Sequence, residues 1–592
     1  MSDERGAGAE EAGAEASDEG AAAMAPEPTG SPEPVADAPT TAAGDARATP
    51  PGDAPRSSAD APNAPGRPKR PPRDWKDLPL RTGAALACAT CMVLGSPDAG
   101  LWWLGLFGWV PWLWLIDGRS PRSSFWFGWL AGTLTVFWGF IWISALLTRF
   151  AGFSDVPALF LHLLFSAFQG LQWAIPALII AKIQRRTGRD VLWIGPLAWV
   201  AGEALLPHVF PSYLALMWCW QPLWLQTAEI GGVCTVGLMM LLINSGLYLT
   251  IKGWVSARRI DRRALAVFAA ALLGTPIYGA IRMAQVDAVI AESPKLKIGV
   301  VQGNFGITQW AHPRYKQVIL GKLQRKSAEL ERQGAELLLW GETAYPFSRA
   351  IGRHDARDLP TSHPRRVRRG FQVPLIFGMV TADTSPETGS PYPWNTALVL
   401  HRDDTIGDLY DKNYPLAFGE YIPLVDPAWY LKMVPAASYI NPGTEPKALA
   451  AAGYHFGPLI CYEDILPRFA RDIAGEGINA FVNLTNDSWF GKTKEQYQHL
   501  GLAILRTIEN RRPLLRAVNA GVSAYVDPNG RLLQQTEVTD PDVDGLGEPV
   551  GFVAEVPMVD QGYRTIYSRV GEGVNAVLVG ILVLLGIRRK RA

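Results

Sequence analysis

Three side chains in the C-terminal half of the sequence are of the types that acyl transfer through a covalent intermediate requires. Cys461 and Glu342 each follow a short apolar run, and Lys412 lies in a polar stretch between them. A thiol with a reference pKa of about 8.5 is mostly protonated at neutral pH, so it needs a base such as Glu342 to accept its proton. Lys412 can hold the negative charge that develops on the carbonyl oxygen. The three together predict a nucleophile, a proton shuttle and an oxyanion stabiliser.

Each of these residues also has a simpler explanation when it is considered alone. A free cysteine is commonly a buried structural residue, and a glutamate or lysine after a strand is commonly solvated. Acidic residues within reach of Cys461 would raise its pKa, which makes a proton-accepting partner necessary. A further carboxyl, Glu420, is either a partner that orients Lys412 or a surface residue.

The residues around this group predict a layered α/β domain over residues 295–562. Short β-rich runs at 296–302, 337–340, 375–379, 480–484 and 523–526 alternate with helical stretches at 315–332 and 495–511. Strands that alternate with helices are typical of α/β layers. Cys461 and Glu342 would then lie at strand ends, where polar side chains are exposed to a cleft.

The preceding part of the chain predicts a membrane domain of seven helices over residues 76–290. The sequence is 48% hydrophobic with 22 tryptophans, and apolar runs lie near 80–97, 99–116, 124–147, 157–181, 191–207, 222–251 and 264–284. A helix needs about 20 residues to span the hydrocarbon core. An eighth run lies within residues 570–592, and its basic terminus predicts a helix that ends in the cytoplasm.

Basic residues cluster in alternate loops, after the second, fourth and sixth runs. By the positive-inside bias these loops are cytoplasmic, which predicts that the domain of residues 295–562 faces away from the cytoplasm. Residues 1–75 are rich in Ala, Gly, Pro, Glu and Asp, and this composition predicts a disordered acidic tail.

Glu203 and Glu229 fall within predicted membrane helices, where a carboxylate is either functional or neutralised by a structural partner.

The Cys88-Ala89-Thr90-Cys91 spacing imitates a redox motif, but it lies inside a predicted membrane helix. The sequence contains no recognisable metal cluster, phosphate-binding loop or nucleic-acid footprint, so no metal, no cofactor and no nucleic-acid partner are expected.

Several ordered motifs resemble those of the nitrilase superfamily, whose αββα sandwich uses a Glu-Lys-Cys triad in this chain order. With the apolar helices, the sequence resembles more narrowly the apolipoprotein N-acyltransferase family of bacteria. The matching stretches are Val301-Gln302-Gly303-Asn304, Trp340-Gly341-Glu342-Thr343, Phe418-Gly419-Glu420-Tyr421, Ile460-Cys461-Tyr462-Glu463, Asn486-Asp487-Ser488-Trp489-Phe490 and Arg512-Pro513-Leu514-Leu515-Arg516.

The resemblance implies an inner-membrane enzyme with an extracytoplasmic, periplasmic catalytic domain. It implies a phospholipid acyl donor, chiefly phosphatidylethanolamine, a thioester on Cys461, and the N-terminal diacylglyceryl-cysteine of an apolipoprotein as acceptor. By the same resemblance, Glu342 and Lys412 complete the catalytic set, while Glu420, Tyr462 and Glu463 support it. Residues implied to contact substrate are Trp310, Trp489 and Arg512.

Two alternatives use the same sequence differently. A membrane-anchored nitrilase-type amidase or hydrolase would use the same triad with water as acceptor, although it would not need an entrance from lipid. A catalytically silent membrane scaffold would bind lipid or lipoprotein only, and the intact set of Glu342, Lys412 and Cys461 argues against it.

Overall fold

The computed structural model describes residues 77–348, 351–384, 391–417, 419–421, 429 and 439–587. The predicted tail of residues 1–75, the basic C-terminal end and Phe418 of one family motif lie outside the described residues.

The N-terminal region is helical. Its helices are α1 (Leu78–Leu94), α2 (Val110–Ile116), α3 (Pro121–Gly139), α4 (Trp142–Ala151), α5 (Asp155–Gln169), α6 (Leu171–Thr187), α7 (Val191–Leu205), α8 (Pro222–Leu225), α9 (Ala228–Gly231), α10 (Val233–Ala257) and α11 (Arg262–Glu292), with short 3-10 turns at Trp102–Leu106 and Leu214–Trp218. Side chains cap several of them: Asp261 accepts hydrogen bonds from the backbone N–H groups of Arg263 and Ala264 at the start of α11. Each of the seven predicted apolar runs overlaps at least one helix.

Among the residues that the structure describes, three helical stretches are long and apolar enough to cross a membrane: Asp155–Thr187, Val233–Ala257 and Arg262–Glu292. A fourth is obtained if α3 and α4, which are bent by 54° at the break between them, form one span. Four further apolar helical stretches are shorter: Leu78–Leu94, Trp102–Ile116, Val191–Leu205 and Gly573–Ile587. The predicted arrangement of seven membrane-spanning helices before the sheets and one after them therefore stays a prediction.

The helices pack around buried tryptophans and present apolar side chains outward. The rings of Trp109 and Trp173 stack with centroids 4.3 Å apart, and Trp199 meets Trp109 edge-on at 4.5 Å. On α11, by contrast, Leu273 and Ile277 are more than half exposed. Large exposed apolar surface in the described residues of this region favours contact with lipid.

Two six-stranded mixed sheets follow. The strands are β1 (Lys295–Gln302), β2 (Leu337–Trp340), β3 (Leu375–Thr384), β4 (Pro391–Leu400), β5 (Ile406–Asp411), β6 (Leu449–Ala451), β7 (Tyr454–Ile460), β8 (Ala480–Thr485), β9 (Leu514–Val518), β10 (Ala524–Val526), β11 (Leu532–Gln535) and β12 (Val550–Pro557). The first sheet has the order β12-β1-β2-β3-β4-β5 and the second β11-β10-β9-β8-β7-β6. Strands β1, β2 and β3 are parallel, as are β7, β8 and β9. The flanking pairs in both sheets are antiparallel.

Successive side chains of a strand point to opposite faces of its sheet, so each sheet contributes to two packed layers. In β2, Leu337 and Leu339 join the core that contains Phe481 of the second sheet, while Leu338 and Trp340 pack on the other side with Leu323. Leu323 belongs to helix α13 (Pro313–Arg332), which follows the short α12 (Ile307–Ala311). The remaining helices are α14 (Pro467–Gly475), α15 (Glu495–Asn510), α16 (Pro541–Asp544), α17 (Ile566–Val570) and α18 (Gly573–Ile587).

The helical region and the sheets are joined by buried polar contacts. Trp142 of α4 donates its indole N–H to Gln498 Oε1 of α15 at 3.0 Å, and the backbone N–H of Val233 donates to Glu509 Oε1 at 3.0 Å. The guanidinium of Arg149 bonds both oxygens of Asp540. Helix α15 therefore connects the sheets to the apolar helices, and it carries part of the site described next.

Candidate active site

Glu342, Lys412 and Cys461 come from the ends of three strands. Glu342 follows β2, Lys412 follows β5, and Cys461 follows β7. The backbone at Cys461 has a φ of +52°, a left-handed conformation that is rare for a residue other than glycine. Gly341, just before Glu342, lies so close to the second sheet that a Cβ there would be 3.0 Å from Thr485 O. The two sheets therefore approach closely next to Glu342.

Lys412 forms ion pairs with two carboxylates. Its Nζ lies 2.8 Å from Glu420 Oε2 and 3.4 Å from Glu342 Oε1. Lys412 is only 1% exposed and Glu342 only 6%. Because the ammonium is buried between two carboxylates, its position is fixed by both.

Asn395 of β4 contacts the same two carboxylates. Its Nδ2 donates to Glu342 Oε1 at 2.6 Å and lies 3.4 Å from Glu420 Oε1. Glu420 Oε2 also accepts the backbone N–H of Leu416 at 2.6 Å. Asn395 is not predicted from the sequence, where the only indication of it is a single amide side chain within a predominantly apolar strand.

Burial and charge set the protonation of these groups. Burial, then the nearby Glu342 carboxylate, raises the pKa of Cys461 to about 12, against the smaller opposing effects of Lys412 and His499. Burial also raises the pKa of Glu342, partly offset by the positive charge of Lys412. Burial alone would lower the pKa of Lys412, but Glu420 and Glu342 raise it well above its usual value. The site at neutral pH therefore holds a protonated thiol and a cationic lysine.

Glu463, two residues after Cys461, is engaged by several hydrogen bonds. Glu463 Oε1 accepts the backbone N–H groups of Asn413 at 2.6 Å and Tyr414 at 3.1 Å, and the hydroxyl of Tyr410 at 2.8 Å. Its other oxygen accepts the backbone N–H of Ile460 at 2.7 Å. Glu463 therefore ties the loop that carries Lys412 to the strand that carries Cys461.

An apolar cavity of about 40 Å³ opens on the thiol. Besides Cys461, its lining residues come from both regions of the chain and include Trp142, Phe210, Leu416, Phe490 and Leu502. A second cavity, of about 490 Å³, shares Pro211 and Tyr462 with the first and is also lined by the charged residues Arg468 and Glu572. Tyr462 donates its hydroxyl to Val209 O at 2.9 Å, so it stands between the two cavities.

A buried ion-pair network borders the first cavity. His499 Nε2 lies 2.9 Å from Asp464 Oδ1, and Arg516 bonds both Asp464 and Asp487. One ligand-type atom from each of Asp487, Glu495 and His499 lies within 4.8 Å of the others, a grouping that the sequence does not predict. Arg516 already supplies a positive charge to Asp487, and we interpret the group as an ion-pair network.

The residues implied to contact substrate are placed differently. Trp310 is half-buried and donates its indole N–H to Thr343 O at 2.8 Å, directly after Glu342. Trp489 packs beside Phe490, which lines the first cavity. The structure does not bring Arg512 to this group, because its guanidinium is buried and donates to backbone carbonyls, among them those of residues 478, 561 and 563. Arg512 therefore has the contacts of a structural residue.

The two carboxylates that the sequence predicts within membrane helices have different partners, and Glu229 lies in the four-residue helix α9, outside the three long apolar helical stretches. Glu229 pairs with Arg282 and with Arg511, and it accepts the hydroxyl of Tyr278 at 2.6 Å. Glu203 Oε1 accepts the backbone N–H of Leu214 at 3.0 Å, at the start of a 3-10 turn. Glu229 thus has the partner-satisfied arrangement that was one of the two expectations for it.

Comparison with known protein families gives two matches in chain order. The family model of the apolipoprotein N-acyltransferase N-terminal domain matches residues 88–246, and that of carbon-nitrogen hydrolase matches residues 297–543. The two mixed sheets with this second match confirm the predicted nitrilase-superfamily fold. A mutant of an amidase from Nesterenkonia AN1, of the nitrilase superfamily, aligns at 20% identity over 46% of this chain and 95% of that chain, with a TM-score of 0.32.

Curated relatives match most of the chain. The apolipoprotein N-acyltransferase of Bdellovibrio bacteriovorus is 31% identical over 464 residues, covering 73% of this chain and 82% of that protein. The one of Geobacter metallireducens is 26% identical, covering 78% and 88%, and the one of Bradyrhizobium diazoefficiens is 29% identical, covering 84% and 87%. The resemblance that the motifs predicted is therefore confirmed, and the chain belongs to the apolipoprotein N-acyltransferase family.

Proposed function

We propose that this protein transfers a fatty acyl group from a phospholipid, through a thioester on Cys461, to the α-amine of the N-terminal diacylglyceryl-cysteine of an apolipoprotein. Lipoprotein N-acylation follows from the family, whose members are named apolipoprotein N-acyltransferases. The observation that carries the proposal for this chain is the apolar cavity that opens on the Cys461 thiol. Each methylene buried there would contribute about 0.8 kcal/mol to acyl-chain binding.

In the first half-reaction the thiol of Cys461 attacks the ester carbonyl of the phospholipid, and its proton moves to Glu342. The negative charge on the carbonyl oxygen is held by the Lys412 ammonium and by the backbone N–H of Tyr462 in the turn after the nucleophile. Collapse of this intermediate breaks the ester C–O bond, and Glu342 returns the proton to the leaving alkoxide. The products are a thioester and a lysophospholipid.

In the second half-reaction the neutral α-amine of the acceptor attacks the thioester carbonyl. Glu342 takes one proton from the attacking nitrogen and passes it to the departing thiolate, so that the C–S bond breaks as the amide forms. Glu420 and Asn395 hold Lys412 and Glu342 in place throughout, through the contacts at 2.8 and 2.6 Å. Two half-reactions on one nucleophile give ping-pong kinetics.

The surroundings support a lipid donor. The first cavity is built partly by residues of the helical region, such as Phe140 and Trp142, and its lining is mostly apolar. The larger cavity beyond Tyr462 contains Arg468 and Glu572, and we assign it to the glyceryl and headgroup part of the donor, chiefly phosphatidylethanolamine. We also propose that the chain crosses the bacterial inner membrane several times, with its sheets on the periplasmic side, because the basic loops alternate.

The test uses the full-length protein in detergent with a phosphatidylethanolamine of defined acyl chains and no acceptor. We expect one acyl adduct per protein by intact mass, located on Cys461 by peptide mapping, with one lysophospholipid released. Glu476→Gln, an exposed carboxyl in the same domain, is the matched control and should behave as wild type. An adduct at another residue, or multiple turnovers to free fatty acid that added acceptor does not suppress, would contradict the proposal.

A further inference from the structure

We propose that Glu495 binds the acceptor's α-ammonium beside Cys461 and accepts one of its protons, so that the amine attacks the thioester in its neutral form. This inference rests on the proposed function, and it gives one named residue a role in the second half-reaction only.

Glu495 has the position that this role requires. It is the first residue of α15, it is 6% exposed, and it lines the same cavity as Cys461. Its Oε1 lies 3.5 Å from His499 Nδ1. Its Oε2 is buried and accepts no hydrogen bond from any residue that the structure describes. A buried carboxylate oxygen without a partner is costly, and a bound cation would relieve that cost.

The neighbouring polar residues of this cavity are already engaged. Gln498 accepts the indole N–H of Trp142 at 3.0 Å and donates to Gly139 O at 2.9 Å. His499 Nε2 is bonded to Asp464, and its Nδ1 faces Asp487 Oδ1 at 3.4 Å and Glu495 Oε1 at 3.5 Å, so the ring lies on the Oε1 side of Glu495. Glu495 is therefore the carboxyl of the cavity lining through which a cationic ligand can be held next to the thioester.

The charges around Glu495 leave room for one more positive charge. The carboxylates of Asp464, Asp487 and Glu495 face Arg516 and His499 in this network. Burial and Arg516 would lower the pKa of His499, but Asp464 and Asp487 raise it well above its ordinary value, so the ring is cationic. Three negative charges against two positive ones leave one negative charge, which a single ammonium neutralises.

Without ligand, the same imbalance is relieved by a proton. Burial, followed by the charge of Asp487, raises the pKa of Glu495 to about 7, despite the opposing effects of His499 and Arg516. An acceptor α-amine has a pKa of about 7.7 to 8.0. The two groups are therefore matched closely enough for a proton to pass from the ammonium to the carboxylate at neutral pH.

The proton balance closes over the cycle. The acceptor enters as an ammonium while Glu495 is ionised, and one proton moves from nitrogen to the carboxylate. The neutral amine then attacks the thioester, and its second proton travels through Glu342 to the thiolate of Cys461. Glu495 releases its proton to water when the amide product leaves.

The experiment compares Glu495→Gln with wild type in the two half-reactions separately. Full-length acyl-enzyme is formed from phosphatidylethanolamine and then chased with a diacylglyceryl-cysteine peptide, or with hydroxylamine, which is uncharged at pH 7. We expect acyl-enzyme formation by the variant to stay within about twofold of wild type and peptide transfer at pH 7 to fall about tenfold, since only about a tenth of the amine is neutral there. That deficit should close at pH 9, and the hydroxylamine chase should be unchanged.

Two results would overturn the inference: a peptide chase at the wild-type rate at pH 7, or a deficit that persists at pH 9 and extends to hydroxylamine. The first would show that Glu495 takes no part in acceptor binding, and the second that it only supports the fold. Failure of the proposed function looks different, because the wild-type acyl-enzyme would then discharge to water and not to the peptide. Glu476→Gln again serves as the exposed control.

Discussion

Replacing Glu420 by glutamine should slow acylation of Cys461 while extending it to lower pH. Lys412 Nζ lies 2.8 Å from Glu420 Oε2 and 3.4 Å from Glu342 Oε1, so Glu420 is the nearer of its two anionic partners. A glutamine of the same shape keeps an acceptor oxygen but removes the charge. Lys412 would then move towards Glu342, away from the carbonyl oxygen that it must stabilise.

The magnitude follows from the loss of one charge-assisted hydrogen bond. Such bonds contribute about 1.5 to 3 kcal/mol, and in the variant the Lys412 ammonium keeps a weaker bond to the neutral glutamine oxygen. Losing roughly 1.4 kcal/mol of that contribution is about tenfold in rate. A displacement approaching 1 Å can cost about 10²-fold. We therefore expect acyl-enzyme formation to be slower by about 10 to 100 times at the plateau of the pH profile.

The sign of the pH effect is opposite to that of the rate effect. Glu342 must be ionised to accept the thiol proton, so activity is present above its pKa and is lost as pH falls through it. The charge of Glu420 raises the pKa of Glu342, and that of Lys412 lowers it. Glu420→Gln removes the effect of the Glu420 charge and brings the Lys412 ammonium closer to Glu342, so the pKa of Glu342 should fall. The acidic limb of the pH profile should therefore move to lower pH.

The assay is single-turnover release of lysophospholipid across pH 4 to 9, with intact mass to count acyl adducts. Glu476→Gln, whose carboxyl is exposed, controls for a general change in charge. A plateau rate within about twofold of wild type, or an acidic limb that moves to higher pH, would refute the role of Glu420 in positioning Lys412.

Two further predictions concern stability and topology. Glu463→Ala leaves the buried backbone N–H of Ile460 and the part-buried N–H groups of Asn413 and Tyr414 without their acceptor. At about 1 kcal/mol or more for the buried group alone, the melting temperature in detergent should fall. An unchanged melting curve would contradict the structural role of Glu463. Single cysteines at the exposed positions Gly188 and Asp403 should react with an impermeant thiol reagent from opposite sides of the membrane, and reaction from the same side would show the predicted orientation to be wrong.

The strand-end residues could be predicted because each follows a local apolar pattern. The runs before Cys461 and Glu342 are the observed strands β7 and β2, and the predicted helix at 315–332 is the observed α13 with two more residues at its start. The predicted strands at 296–302, 480–484 and 523–526 also appear as β1, β8 and β10 with ends shifted by one residue, while the predicted strand at 375–379 is the first half of β3. The α/β layers are therefore readable from periodicity and turn residues alone.

Partners that meet across long sequence separations could not be predicted in this way. Asn395 lies in β4, more than fifty residues from Glu342. A polar residue among apolar neighbours is common in strands, so the local pattern does not mark Asn395 as part of the site. Glu495 and His499 share one face of α15, but their charged partners Asp464 and Arg516 come from other elements. Arg512 was predicted to contact substrate from its motif, whereas the fold directs its guanidinium to carbonyls near residues 478 and 561.

The apolar helices show a different limit. Helices α1 and α7 contain 17 and 15 residues, fewer than about 20, and α7 ends one residue before Leu206, which is extended ahead of Pro207. Composition identified the runs correctly as helical, but their ends are set by Pro, Gly and tertiary contacts such as that of Glu203 with Leu214. Whether each helix spans the membrane depends on tilt and neighbours, which periodicity does not report.

The central claim is that the acyl group passes through Cys461 on its way from phospholipid to amine, and one chase experiment tests it most directly. Wild-type protein is loaded with a labelled acyl chain from phosphatidylethanolamine, freed of donor, and mixed with a diacylglyceryl-cysteine peptide, beside Cys461→Ala and Glu342→Ala treated in the same way. We predict that the label leaves Cys461 and appears as an amide on the peptide with one-to-one stoichiometry, while neither variant takes up label or forms product. Transfer of label to the peptide by Cys461→Ala at a rate close to that of wild type would contradict the account.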